Sequence, residues 1–563
     1  MQALTGDSVL ARWARVTFVA CYAAVTAFAG VFSMPPLDRD ESRFAQATVQ
    51  MLESGDFVTI RFQDDERNKK PAGIYWLQAL SVSAFSSVEA REIWAYRLPS
   101  AVGAIVAALF TYVAGARLFG PGAGLLAAML LAASPAVAGE ATIAKTDAML
   151  LATVTAAQAA FIHIFGAATQ GRRASLFWAL LFWAAIGAGV LIKGPIILMV
   201  VGLTGAMMAV HRPDRDWVAA LRPVTGAIIL VVMIAPWAAA IHQATEGRFF
   251  IDAIGGDMLA KLGDAKESHS GPPGYYGVLL FALFWPAAAL ILPGVRAVVA
   301  DRRAWESWFL IGWAAPAWLV FEAIATKLPH YALPLYPAIA LMAARAIVSG
   351  DTDRWSVLRK IGASVYLTVG LAFAALIAVL PVYYEAEPLQ PYGFTIASTF
   401  GLAVIVAAIL FWRGEMAKGA IAAALLSSTL AWTLLCGVLP NLDQLSLSPR
   451  LSAAIEREGL HPLRGGAEDV VLSGYYEPSA IFLLGTGTLL ANGRSAAELM
   501  KSANRAAVVE GREDAAFKAR LDELGEAAAP FAEIDGVNYS NGKSVALKIY
   551  RLTPQAHSRQ DAR

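Results

Sequence analysis

Three short segments gather acids, bases and aromatic residues beside apolar runs, where a membrane protein has to place its chemistry. The first, LDRDESRFAQATVQMLESGDFV from Leu37, sets Asp40, Glu41 and Arg43 at the start of an amphipathic helical pattern carried by Phe44, Ala47, Val49, Met51 and Leu52. Acids in a first turn can simply complement the helix dipole. Alternatively, Asp40 or Glu41 is a working acid, with Arg43 one turn away to hold a carboxylate or phosphate by paired hydrogen bonds. The second segment, RFQDDERNKKPAGIYWLQAL from Arg61, passes from charge through Lys69-Lys70-Pro71 into Ile74-Tyr75-Trp76-Leu77. That order suits a helix entering the membrane interface with Lys70 at headgroup level, although a solvated charge run has the same composition. In the third, GEATIAKTDAML at 139–150, Asp147 opens an apolar run two residues after Lys145. An acid at a membrane boundary is a functional candidate by default, and a helix N-cap is the structural alternative.

Two further polar segments complete the set. KESHSGPPGYY supplies Lys266, Glu267 and His269, and ATKLPHYALPLYP from Ala325 supplies Lys327, His330, Tyr331 and Tyr336. His269 and His330, with Glu267 or an aspartate, have the chemistry of a divalent-metal site, while isolated interfacial histidines equally serve as hydrogen-bonding groups.

These residues need a membrane scaffold to meet. Of 563 residues, 57% are hydrophobic and 16% charged, against about 25% charged in soluble domains. Thirteen apolar stretches, the first at 14–33 and the last at 419–439, approach or reach the length needed to cross a bilayer. Arg12 and Arg15, Arg172 and Arg173, Arg212 and Arg215, Arg296 with Arg302 and Arg303, Arg354 with Arg359 and Lys360, and Arg413 and Lys418 fall on alternate connections. The positive-inside rule then puts the N-terminus in the cytoplasm and the segments 34–93, 139–146, 243–274, 325–330 and 382–392 outside. The apolar run at 16–34 is too long for a signal peptide core and reads as an anchor. Cys21 and Cys436 lie inside apolar stretches and read as core residues, and a net charge of +1 points away from nucleic acid.

After residue 440 charge becomes frequent and no run is long enough to span. Strand-like runs at 469–472, 506–510 and 545–552 alternate with helical patterns, and NYSNGK at 538–543 carries an Asn-Gly hairpin turn. The expected organisation is an all-α polytopic membrane domain at 1–440, with an interfacial loop at 34–93, and a small α/β domain at 441–563 on the periplasmic side. The residues from Pro554 read as disordered.

DESRFAQ at 40–46, KKPAGIYWLQAL at 69–80, KTDAML at 145–150 and KLPHYALPLYP at 327–337 resemble, in that order, the motifs of bacterial 4-amino-4-deoxy-L-arabinose transferases and their relatives in the protein O-mannosyltransferase superfamily. The resemblance covers the chain to about residue 440. It implies a GT-C fold of about thirteen membrane helices with two interfacial helices in the first periplasmic loop, in a bacterial inner membrane. It implies a polyprenyl-phosphate sugar as donor, lipid A or another envelope glycan or lipid as acceptor, and inversion at the sugar carbon. By motif position, Asp40 and Asp147 are similar to the family's catalytic acids, Arg43 and Lys70 to its phosphate-binding cations and Tyr331 to its late aromatic residue. Glu41, His269 and His330 join them as expected substrate contacts. Lys69 stands where many relatives carry glutamate, and Asp257 and Lys261 where they often carry His and Arg, a shift that suits an acidic sugar such as a uronic acid. No organic cofactor is expected, and a divalent metal ion stays open.

The expected reaction is one displacement at the anomeric carbon, with Lys70 and Arg43 stabilising the departing phosphate. A transporter or flippase of lipid-linked sugar is the rival, because intramembrane acids and prolines also suit a translocation path. The long charged loop and the scarcity of charges at span centres favour the enzyme.

Overall fold

The computed structural model describes residues 8–553 except 213, 260–270, 350–355, 467 and 504, with backbone alone at 254 and 257–259. Each of the thirteen expected stretches carries helix. Nine helices among the described residues are long and apolar enough to cross a membrane, and two bent pairs raise that to eleven. Ile196–His211, at 16 residues, and Trp305–Ala323, at 19, occupy the remaining two positions. The bends have local causes. Ser134 leaves helical geometry before Pro135 and caps the next helix through Val137, so Pro121–Ala132 and Pro135–Ala141 meet at 62°. Phe284 leaves helical geometry and Pro286 sits in the first turn after it, so Tyr275–Leu283 and Trp285–Ala300 meet at 92°.

The helix that begins with Asp147, Asp147–Ala168, is the centre of the bundle, with 89% of its span buried, whereas Pro223–Ala244 is 17% buried and turns Val224, Ile228, Val231 and Val232 outward. An apolar helix that leaves such a face uncovered is built for lipid. Two glycines set the position of the central helix and of the loop beside it. A Cβ at Gly103, on the Ile93–Phe119 helix, would stand 2.7 Å from the Ala148 carbonyl oxygen, and one at Gly73 would stand 2.7 Å from that of Leu191. Cys21, expected in the core, is exposed on the outer face of the first helix, Val9–Ala27, and Cys436 is half-buried.

The first long loop holds two helices, Asp40–Ser54 and Gly73–Phe85, joined through a short antiparallel pairing of Arg61–Phe62 with Asp65–Glu66. Asp40–Ser54 does more than lie along an interface, because it is packed on two sides. Phe44, Ala47 and Met51 pack with Tyr75, Trp237 and Phe249, while Ala45 and Val49 pack with Tyr96 and Phe482 from the C-terminal region.

That region contains a five-stranded sheet, ordered Leu489–Ala491, Val471–Ser473, Ala507–Glu510, Lys543–Leu552, Ala528–Asn538. The first three strands are parallel and the last two antiparallel. The Asn541-Gly542 signal forms its hairpin, with Asn538 opposite Lys543 and Gly542 at φ 71°. The sequence reading missed both edge strands. Leu489–Ala491 is very short, and Ala528–Asn538 carries Pro530 and Gly536 and is largely uncovered. The tail expected to be disordered from Pro554 lies outside the described residues.

Candidate active site

At one end of the bundle the loop helices meet a buried charge cluster. Asp147, in the first turn of the central helix, is 5% exposed and accepts a hydrogen bond from Lys193, the last residue of Leu176–Lys193. Lys145 Nζ lies 3.8 Å from Asp147 Oδ2 and 3.0 Å from Glu140 Oε1. His330, on the 3-10 segment Pro329–Leu335, bridges the same acids: Nδ1 is 3.8 Å from Glu140 Oε1 and Nε2 is 3.9 Å from Asp147 Oδ1. The Lys193 ammonium stands 5.7 Å from the centroid of the Tyr331 ring. Two carboxylates therefore face two ammonium groups, with an imidazole between them. Removing any one charge leaves a buried partner uncompensated.

Asp40 approaches this cluster from the loop side. Its carboxylate is 57% exposed, 4.0 Å from Arg67 Nη2, and close enough for its charge to act on Lys145. Arg67 is itself fixed, with its guanidinium 5.2 Å from the centre of the Phe44 ring. Arg43 is half-buried, and among the described residues its side chain makes no ion pair or hydrogen bond. Lys70 is half-buried just before the Gly73–Phe85 helix, whose first residue rests on the Leu191 and Ile192 backbone beside Lys193.

Glu41 has a different position from the one expected. It is buried and accepts from Arg97 Nε at 2.8 Å and Nη2 at 2.7 Å, from the Leu37 amide at 2.8 Å and from the Ala144 amide at 2.8 Å. With its oxygens taken up inside the protein, Glu41 ties the loop to the bundle and has no capacity left for substrate. Arg97 is buried and also donates to the carbonyls of Val31, Met34 and Pro35, closing the end of the first span.

His269, Glu267, Lys266 and Lys261 lie outside the described residues, as does the Asp257 side chain. The segment that follows is anchored by Lys327 Nζ, which donates to the Gly271 and Pro272 carbonyls at 3.0 and 3.3 Å. Among the described residues no group of three or more His, Cys, Asp or Glu is arranged to hold a metal ion. Lys69 is exposed.

Sequence reasoning passed over Glu140, Lys193, Arg67 and Arg97 as site components. A usable signal existed for three of them: Arg97, Lys193 and Glu140 are charges within or at the end of largely apolar stretches, which require a partner. Arg67 had no such mark, since it sits in a polar stretch.

Residues 13–249 match the family described as dolichyl-phosphate-mannose-protein mannosyltransferase. An undecaprenyl phosphate-alpha-4-amino-4-deoxy-L-arabinose arabinosyl transferase from Pseudomonas aeruginosa (strain LESB58) is 30% identical over 442 residues, covering 75% of this chain and 76% of the relative. A protein of the same name from Edwardsiella ictaluri is 26% identical over 373 residues, covering 64% of this chain and 63% of its own. The crystal structure of ArnT from Cupriavidus metallidurans in the apo state superposes with a TM-score of 0.74 at 19% identity, covering 96% of this chain and 98% of that one. The same protein bound to undecaprenyl phosphate gives 0.74 at 19% identity, with 95% and 97% covered. The fold is thus of the GT-C type, and membership decides between enzyme and transporter. This chain belongs to the family of undecaprenyl phosphate-4-amino-4-deoxy-L-arabinose arabinosyl transferases and is a multi-pass membrane glycosyltransferase.

Proposed function

We propose that the chain moves a sugar from a polyprenyl-phosphate carrier to lipid A or another envelope acceptor, with inversion, at the periplasmic end of its membrane region. One observation carries this reading: an exposed acid, Asp40, approaches the buried Asp147 cluster at one end of the bundle, and Arg43, a half-buried cation with no ion pair or hydrogen bond among the described residues, stands one turn along the same helix. Support for a lipid-phosphate donor comes from the names of the Pseudomonas relatives and from the undecaprenyl phosphate held by the Cupriavidus protein. The Arg and Lys pairs between spans support the orientation, because they fall on connections that alternate with the site.

In this reading the bond from the anomeric carbon to the carrier phosphate breaks as the acceptor oxygen attacks from the opposite face. Negative charge grows on the departing phosphate, and Arg43 with Lys70 stabilises it more in the transition state than in the ground state. Asp147, held by Lys193 and flanked by Lys145, stays anionic and fixes the positions of those lysines and of His330 at the sugar. Where the acceptor is a hydroxyl, Asp40 is its general base, since its exposed carboxylate can be reached from outside. Where the acceptor is a lipid A phosphate, the nucleophile is already an anion that needs no base, and Asp40 instead orients the substrate or holds a cation. Glu41 is assigned to the scaffold, and Tyr331, beside Lys193, forms an aromatic wall of the sugar site.

The test is transfer by purified protein in lipid nanodiscs, with polyprenyl-phosphate carrying labelled aminoarabinose or labelled uronic acid and with lipid A as acceptor, read by mass spectrometry. Label in the acceptor identifies the sugar. If neither sugar reaches lipid A or an extracted envelope glycan, while vesicles containing the protein move the intact lipid-linked sugar across the bilayer, the reading is wrong.

A further inference from the structure

We propose that the tip of the C-terminal β-hairpin is a positioning device for the reaction: Tyr539 and Ser540 clasp Asp38 and Arg39 and thereby set the direction of Asp40. The proposal rests on the reading of Asp40 as an active-site acid. The Asp38 amide donates to the Tyr539 hydroxyl at 2.6 Å, and the Arg39 guanidinium donates to the Ser540 carbonyl. On the other side, the Ser479 hydroxyl is hydrogen-bonded to Asp38 Oδ1 and lies 2.6 Å from Ser448 Oγ. The hairpin tip is fixed in turn, because Asn538 donates to Glu477 Oε1 at 2.7 Å and its own Oδ1 accepts from the Ser540 amide at 2.9 Å.

What the clasp holds is unusual. Arg39 has φ 63° and ψ −113°, a backbone conformation that L residues rarely adopt and that persists only when surrounding contacts impose it. Arg39 is the residue before the Asp40–Ser54 helix, and its own side chain makes no capping hydrogen bond to that helix. Glu41 and Ser42 hold Leu37 from within the loop, so the two residues between Leu37 and Asp40 take their direction from the contacts outside it, which come from residues about five hundred positions away in sequence. The body of the helix is docked separately, through Gln46 to Thr486 at 2.8 Å and Thr486 to Glu53 at 2.7 Å. Loss of the clasp can therefore let the first turn move while the helix stays in place. Burial, only partly offset by the Ser479 hydroxyl and reinforced by the charge of Glu477, pushes the Asp38 carboxyl up to about 7, which fits a group enclosed between loop and hairpin.

The experiment uses the full-length enzyme in nanodiscs with labelled polyprenyl-phosphate sugar, comparing Tyr539→Phe, Arg39→Ala, Arg39→Lys, Arg39→Gly and, as reference, Asp40→Asn. A displaced reacting group costs up to about a hundredfold in rate, so Tyr539→Phe and Arg39→Ala are expected to lower kcat by about tenfold to a hundredfold, with donor KM and unfolding temperature unchanged. Arg39→Lys, which keeps a donor for the Ser540 carbonyl, should restore most of the rate. Arg39→Gly should lose less than Arg39→Ala, since glycine tolerates positive φ. Wild-type kcat in both Tyr539→Phe and Arg39→Ala overturns the clasp, as does a fall in kcat accompanied by an equal loss of thermal stability. If Asp40→Asn itself turns over normally, the reading of Asp40 fails; if it is inactive while the clasp variants are normal, the clasp alone fails.

Discussion

Replacing Glu41 with Ala separates a structural anchor from a substrate contact. Its carboxylate accepts four hydrogen bonds, two from the buried Arg97 at 2.7 and 2.8 Å and one each from the Leu37 and Ala144 amides, both at 2.8 Å. Adding four charge-assisted bonds at about 1.5–3 kcal/mol each would overcount, because they share one desolvated group. The deciding quantity is the cost of leaving the Arg97 guanidinium buried without its counter-charge, about 3–5 kcal/mol for a broken buried pair. Arg97 keeps its bonds to the Val31, Met34 and Pro35 carbonyls, so the loss should fall toward the lower end of that range. The assay is reversible unfolding of the purified protein in mixed micelles as denaturing detergent is added, for Glu41→Ala, Arg97→Met and the double variant. The single changes should be costly, and the cycle should return a coupling of about 2 kcal/mol or more, near the upper part of the range for directly contacting groups. A Glu41→Ala protein of wild-type stability whose only defect is a raised KM would refute the argument and return Glu41 to the substrate.

Asp40→Asn and Lys70→Ala should abolish transfer, measured with labelled donor, while the proteins insert and unfold as wild type does. Asp147→Asn should abolish transfer and also destabilise the chain by about 3 kcal/mol in the same unfolding assay, because Lys193 then loses its buried counter-charge. Gly103→Ala should cost about 1–3 kcal/mol by overpacking against the Ala148 carbonyl, and lower kcat through the neighbouring Asp147. Asp38 predicts a pH dependence. Its folded-state value of about 7 lies above the ordinary 3.8, so its contribution to the loop–hairpin contact is full below about pH 4 and is lost as pH rises through 7. Hydrogen-exchange protection factors at the Asp38 to Asp40 amides should fall across that window in the wild type and stay flat in Asp38→Asn.

The membrane architecture was legible because its causes are local: an apolar run of sufficient length reads as a span wherever it sits, and Arg pairs mark alternate connections. The two loop helices and the Asn541-Gly542 hairpin were legible for the same reason. What could not be read is pairing across the fold. Glu41 and Arg97 are 56 positions apart, and Asp147 and Lys193 are 46 apart. Nothing local distinguishes an acid that meets substrate from one that meets a buried guanidinium. Glu41 and Asp40 are neighbours of similar chemistry, yet the helix turns one into the protein and leaves the other exposed. The edge strands were hidden by their shortness and by Pro530 and Gly536, which weaken a strand signal even where tertiary pairing overrides it.

The distribution of compensated charge sorts the cations by the work left for them. Lys145 and Lys193 are neutralised by Glu140 and Asp147, Arg97 by Glu41, and Lys327 lies 3.6 Å from Glu322. A phosphate brought to any of these must compete with a carboxylate already in place, and breaking such a pair exposes a buried acid. Arg43 has no such competitor among the described residues and stands one turn from Asp40. On the proposed reading, a lipid phosphate entering from the membrane side gains most by meeting Arg43, and the Asp147 cluster is left intact to hold the sugar. It follows that Arg43→Ala should weaken binding of the bare polyprenyl phosphate, measured by its protection against thermal unfolding, by about tenfold or more, as expected for losing a charge-assisted bond of about 1.5–3 kcal/mol. Lys145→Ala, by contrast, should lower the stability of the empty protein, because it strips Glu140 of its ammonium partner.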